Sequence, residues 1–249
     1  MTKTADAPIV LLHGWGMNKQ VWNGVLELMP KAFRARVKVL DLPGYGENKT
    51  VLNPYSINEL SQWLSSEISE PSHLLGWSLG GLIAIRYAAS HPDNVLSLGL
   101  IASSPKFQQS GDWPGIKPDV LSAFSKQLQN NHQQTIQRFL AIQAMGSNTA
   151  KQDLKALKEW ILSADQPHSD ALSGGLELLK SVDLRKELKS LLMPVFGIFG
   201  RLDSLVPVTA VNELKVLQPN GDWLVREHVS HAPFISDPEN FVQWLFEHC

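Results

Sequence analysis

Cysteine occurs once in the 249 residues, at Cys249. A single thiol closes no intrachain disulfide and builds no cysteine metal cluster, which fits a reducing compartment. No apolar run approaches the roughly 18 residues of a membrane span. The first run, 9–12, is also too short for the core of a secretory leader, so a cytoplasmic protein is expected. A basic excess is lacking too: 22 Lys and Arg face 24 Asp and Glu, a net charge of −2. A general polyanion binder carries the opposite imbalance, so neither nucleic acid nor a membrane is an expected partner. Repeats and low-complexity tracts are also missing. What is present is a chain 43% hydrophobic and 18% charged, a composition that excludes a disordered or fibrous protein. Folding at this length buries roughly three quarters of the unfolded surface, enough for one large core.

Short apolar runs at 9–12, 37–42, 74–77, 95–102, 195–199 and 223–229 alternate with helical patterns at 58–68, 79–90, 207–217 and 238–248. Several runs are continuous, as in strands covered on both faces. Strand–helix–strand in series predicts right-handed crossovers and a mostly parallel sheet, an α/β fold. The interval 106–192 breaks the rhythm. It holds no convincing strand but has helical patterns near 120–129, 133–145, 149–162 and 171–180, with Gly146, Pro167 and Gly174-Gly175 read as breakers. Ligands of open α/β sheets bind at the carboxyl edge, so a helical insertion there is a candidate lid. The expected division is a core of 1–105 with 193–249, and a lid of 106–192.

The strongest chemical signal is Gly76-Trp77-Ser78-Leu79-Gly80, followed by Gly81. It lies between an apolar run and a helix of small residues, the context of a nucleophile elbow rather than a chance pentapeptide. A serine needs a base, and the base an orienting acid. Asp203 follows the run 195–199, and His231 lies in the loop after the last run, separations of 125 and 28 residues. Asp203 also reads as a turn or helix-cap aspartate. Of the eight histidines, His228 falls inside a strand pattern, and only His231 sits in a loop downstream of the acid. Oxyanion donors are expected from the N–H of Leu79 and from the N–H of Trp15 in His13-Gly14-Trp15-Gly16, where Trp15 also reads as a core aromatic. Gly14-x-Gly16 and Gly44-x-Gly46 lack the third glycine of a dinucleotide fingerprint, Lys49-Thr50 lacks the glycine of a phosphate loop, and no metal-binding spacing occurs. Neither a cofactor nor a metal is expected.

These motifs, with Asp41-Leu42-Pro43-Gly44-Tyr45-Gly46 as a tight post-strand loop, resemble the α/β-hydrolase superfamily along nearly the whole chain. Within it the chain resembles the esterases that cleave pimeloyl-acyl-carrier-protein methyl ester in bacterial biotin synthesis. The lid stretches Trp113-Pro114-Gly115-Ile116-Lys117-Pro118-Asp119, Arg138-Phe139-Leu140-Ala141 and Gly174-Gly175-Leu176-Glu177 carry that likeness, as does Ser230-His231-Ala232-Pro233-Phe234. The resemblance implies a mostly parallel sheet with helices on both faces under a helical lid, and a Ser78–Asp203–His231 triad. It also implies substrate contacts at Trp15 and Leu79, and an acyl channel lined by Phe139, Leu140, Ala141, Ile142 and Gln143. Phe107, Met145 and Val206 are further channel candidates, or ordinary core. Only eight residues precede Ile9, where members carry an extra strand or hairpin, so a trimmed sheet edge is expected.

The implied partner is an acyl carrier protein, and the expected working unit is a monomer. Lys151, Lys155 and Lys158 fall on one helical face, with Leu154, Leu157 and Ile161 on another. Residues 106–160 carry a net +3 and the rest −5. A basic lid face would steer an acidic carrier, with Arg138 a further contact; a solvated helix face is the plainer reading. The expected reaction is serine hydrolysis of a methyl ester. The rivals are a general carboxylesterase for short acyl esters, a carbon–carbon hydrolase or lyase, and a ligand receptor that does not turn over.

Overall fold

Six strands form one sheet: β1 (Ile9–Leu12), β2 (Val37–Leu40), β3 (Ser72–Trp77), β4 (Val95–Ile101), β5 (Val195–Gly200) and β6 (Asp222–Arg226). All pair in parallel, in the order β2-β1-β3-β4-β5-β6. The computed structural model describes residues 6–162 and 165–249, the side chains of 160–162 excepted. Every residue of β1, β3 and β5 is buried, which requires cover on both faces of the sheet, whereas the edge strands β2 and β6 are half-buried. This explains why the inner runs are continuously apolar and the edge runs are not.

The helices are α1 (Asn23–Leu28), α2 (Lys31–Arg34), α3 (Ile57–Glu67), α4 (Leu79–Ser90), α5 (Pro118–Asn130), α6 (His132–Ala144), α7 (Ala150–Leu162), α8 (Ser169–Ser181), α9 (Arg185–Ser190), α10 (Val208–Leu217), α11 (Pro233–Ser236) and α12 (Pro238–His248). Their starts follow local chemistry. Ser56 caps α3 by accepting from the Glu59 N–H, Asn131 caps α6 by accepting from Gln134, and proline opens α5, α11 and α12. Between β4 and β5 the described residues form helices α5 to α9 and only two isolated bridges, 108 with 116 and 110 with 113.

Three expectations need correction. The run 223–229 is strand only to Arg226; Glu227 and His228 turn outward and are exposed, with Glu227 paired to Arg201. The run 37–42 leaves the sheet at Leu40, because the Asp41 carboxylate accepts from the Lys19 and Glu47 N–H groups and the Leu42 N–H goes to His13. Gly174-Gly175 does not break a helix but lies inside α8. A Cβ on Gly174 would stand 2.5 Å from Tyr55 Cβ, and one on Gly175 2.8 Å from the Trp15 indole. The pair is there for close approach to the core, not for a turn.

The chain leaves β1 towards β2 on one side and returns to β3 on the other. In open α/β sheets the crevice beyond the carboxyl ends at such a reversal receives the ligand. Leu12 of β1 stands beside Gly76 of β3, so the segments after both strands emerge there together.

Candidate active site

β3 ends at Trp77 and α4 begins at Leu79, so Ser78 makes the turn alone. Its backbone lies at φ 54° and ψ −117°, where a residue with a side chain is strained. The neighbours hold it there. Ser103 Oγ donates to the Ser78 carbonyl at 2.7 Å, and the Gly81 N–H donates to the same oxygen at 2.9 Å. A Cβ on Gly76 would meet the Gly80 backbone at 2.3 Å, and one on Gly80 would meet the Leu12 and His13 carbonyls at 2.7 Å. Strand, turn and helix close this tightly only with glycine at both positions.

Asp203 is 4% exposed and His231 fully buried. Asp203 Oδ1 accepts from the N–H groups of Leu205 and Val206 at 2.7 and 3.0 Å, which turns Oδ2 towards His231 Nδ1 at 2.7 Å. The cap-like pattern read from the sequence is therefore present as well, on the other oxygen. A carboxylate accepts only, so Nδ1 carries a proton, and in the neutral ring Nε2 is the nitrogen with the lone pair. The Trp77 indole donates to the His231 carbonyl at 2.8 Å, with the rings 5.8 Å apart. This binds the histidine segment to the residue preceding Ser78. Ser78 Oγ and His231 Nε2 are both buried, and neither has a hydrogen-bond partner. A free hydroxyl, an imidazole with an available lone pair and an acid fixing its tautomer are the parts of nucleophilic catalysis.

The loop after β1 turns beside them. A Cβ on Gly14 would lie 3.1 Å from Ser78 Cβ. His13 braces this loop: Nδ1 donates to the Gly14 carbonyl at 2.8 Å, and Nε2 accepts the Leu42 N–H at 3.0 Å. Burial lowers its pKa to about 4, so it is a neutral strut rather than a charge. Trp15 is buried, its indole donating to the Leu172 carbonyl at 2.8 Å. Leu79, also fully buried, is the first residue of α4, where a helix leaves its N–H groups free. The Tyr45 hydroxyl, its pKa raised well above normal by burial, donates to the Ala171 carbonyl at 2.9 Å.

Phe139 packs edge-on to Trp15 at 4.8 Å and, with Leu140 and Gln143, is buried. Ala141 is exposed and Ile142 half-buried. Five consecutive helical residues spread around the whole circumference, so they cannot all line one channel. Met145 is also exposed, at 56%, and lines no interior, whereas Phe107 and Val206 are buried. Gln143 is fully buried, and neither of its amide atoms has a partner. Lys151, Lys155 and Lys158 are exposed on α7, opposite buried Leu157 and half-buried Leu154; the Ile161 side chain is outside the described residues. Lys155 pairs with Glu159 at 3.8 Å. Lys158 borders a cleft of about 160 Å³ floored by Ile136 and Leu140. Arg138 is exposed, lying over the Phe124 ring at 5.4 Å and bonding Gln127.

Sequence reasoning missed Ser103, whose partner Ser78 is 25 residues away, and the bracing role of His13, which takes its second bond from Leu42. It also missed Asp153, an acidic residue that is buried. Its signal was available: Asp153 lies four residues before Leu157, on the inward face of α7.

A family profile describing the α/β hydrolase fold matches residues 7–238. Among similar proteins, the pimeloyl-[acyl-carrier protein] methyl ester esterase of Aeromonas hydrophila subsp. hydrophila is 46% identical, over 96% of this chain and 94% of that protein. The protein of the same name from Vibrio vulnificus (strain CMCP6) is 45% identical, over 98% and 94%. Among solved structures, the esterase EaEST from Exiguobacterium antarcticum superposes with a TM-score of 0.85 at 21% identity, covering 97% of this chain and 91% of that one. The enol-lactonase from Burkholderia xenovorans LB400 reaches 0.80 at 18% identity, over 97% and 90%.

Proposed function

The chain belongs to the α/β hydrolase family, and from that premise we propose that it is a serine carboxylesterase. Its substrate is the methyl ester of pimeloyl-acyl-carrier protein, and its products are the free carboxylate on the carrier and methanol, a step of biotin synthesis. The observation that carries the chemistry is the buried Asp203–His231 pair, tied by the Trp77 indole to the segment of a strained Ser78 whose hydroxyl has no partner. The substrate is inferred from relatives 45–46% identical over nearly the full length of both chains.

His231 Nε2 removes the Ser78 proton as the oxygen attacks the ester carbonyl. The tetrahedral oxyanion is held by the N–H groups of Leu79 and Trp15, while Asp203 stabilises the imidazolium. His231 then gives the proton to departing methoxide, and methanol leaves. Water, deprotonated by the same nitrogen, attacks the acyl-serine and releases the carboxylate. Phe139 and Leu140 form the apolar wall of the acyl site, and the 106–192 segment is the lid over it. Gln143 meets a polar group of the bound chain. Arg138, Lys151, Lys155 and Lys158 face the acidic carrier, with Lys158 at the rim of the cleft. All the reacting groups come from one chain, so a monomer suffices. A chain with one cysteine suits the cytoplasm.

The test compares purified protein on carrier-bound pimeloyl methyl ester and on a short chromogenic ester. The expected result is a kcat/KM at least about 100-fold higher for the carrier-bound ester, with both activities reduced more than about 1,000-fold in Ser78→Ala. Equal rates on both substrates would favour the general carboxylesterase. Binding without turnover would favour the receptor.

A further inference from the structure

Asp153 is a carboxylate only 3% exposed on α7, and among the described residues no cation lies within ion-pair distance. Burying such a group is costly unless charge-assisted hydrogen bonds replace its water. Two hydroxyls do so at one oxygen: Ser147 Oγ donates to Oδ2 at 2.8 Å and Ser236 Oγ at 2.6 Å. Ser147 belongs to the link between α6 and α7. Ser236 closes α11, the single turn that begins two residues after His231. Two further bonds join the same segments. The His231 N–H donates to the Gln143 carbonyl at 3.2 Å, and Ser230 Oγ donates to the Met145 carbonyl at 3.0 Å.

The segment 230–236 is thus fastened to the lid on both sides of His231. A one-turn helix has little stability of its own, so its place is set by such anchors. His231 is held at Nδ1 by Asp203, but the reach of Nε2 towards Ser78 depends on where its backbone sits. We infer that Asp153, through Ser236 and Ser147, is a positioning residue that holds the His231 segment in register with Ser78. This makes α7 part of the catalytic frame as well as a cover. The inference rests on the esterase reading, and it adds a residue that neither the elbow nor the triad motif contains.

The experiment measures Ser236→Ala, Ser236→Thr, Ser147→Ala and Asp153→Asn on a short chromogenic ester, beside the wild type and Ser78→Ala, with thermal unfolding of each. Ser236→Ala should lower kcat about tenfold with KM within about twofold of wild type, because geometry and not binding is disturbed. Ser236→Thr, which keeps the hydroxyl, should recover most of that loss. Ser147→Ala should lose less, and Asp153→Asn should lose at least as much as Ser236→Ala. Wild-type kcat in a folded Ser236→Ala overturns the inference, as does Ser236→Thr no better than Ser236→Ala. A kcat loss in step with lost thermal stability across the four variants also overturns it, since it marks a merely structural role. No Ser78-dependent turnover by the wild type would overturn the esterase reading and, with it, this inference.

Discussion

His13 is fully buried yet titratable, and its two nitrogens already have fixed roles. Protonating Nε2 would abolish its bond from the Leu42 N–H. With a folded pKa of about 4 against 6.5 unfolded, the unfolded chain binds more protons between those values. Stability from this residue is therefore complete above pH 6.5 and declines as pH falls towards 4. Between pH 7 and pH 5 the decline from His13 is about 2 kcal/mol. Urea unfolding at the two pH values should show it, and His13→Asn, though less stable at pH 7, should lack this share of the decline. The Ser78 turn and the Asp203–His231 contact were legible because each of these residues follows a recognisable apolar run. The His13 brace was not, because a neutral histidine strut and a histidine ligand look alike in one dimension.

Among the elements, the glycines of helices separate two kinds of cost. Gly24 in α1 has no atom within 4 Å of a prospective Cβ, whereas Gly174 in α8 faces Tyr55 Cβ at 2.5 Å. Alanine gains about 1 kcal/mol of helix propensity over glycine at either site, but overpacking costs about 1–3 kcal/mol. Gly24→Ala should therefore stabilise by up to about 1 kcal/mol. Gly174→Ala should destabilise by about 1–2 kcal/mol, since Tyr55 Cβ sits too near its own backbone to swing aside. Chemical denaturation of both decides. The same pair marks where element prediction stopped. The run of α8 is readable from its apolar spacing, but the glycine pair reads as a helix breaker because the tertiary neighbour of Gly174, Tyr55, comes from more than a hundred residues earlier. The one-turn helices and α9 were missed for a related reason: they are too short to establish a period.

At the scale of the whole molecule, a net charge of −2 conceals an uneven distribution, with a net +3 over residues 106–160. On α7 itself Asp153 is buried, so the exposed side carries Lys151, Lys155 and Lys158 against Glu159 alone, a net +2. Charge reversal of Lys151, Lys155 and Lys158 together should raise KM for the carrier-bound ester at least about tenfold, far more than for a short ester. Raising ionic strength should produce the same contrast in the wild type. Equal effects on the two substrates would remove this face from carrier recognition.

α8 hangs from the rest of the protein by hydrogen bonds from the Trp15 indole to the Leu172 carbonyl and from the Tyr45 hydroxyl to the Ala171 carbonyl, with the His168 N–H reaching back to the Gly44 carbonyl. On the α8 side every one of these groups is main chain. Such an attachment is blind to side-chain identity: any sequence that coils there and leaves room for the two rings offers the same acceptors. The exposed side chains of α8 can therefore change while its mooring stays intact.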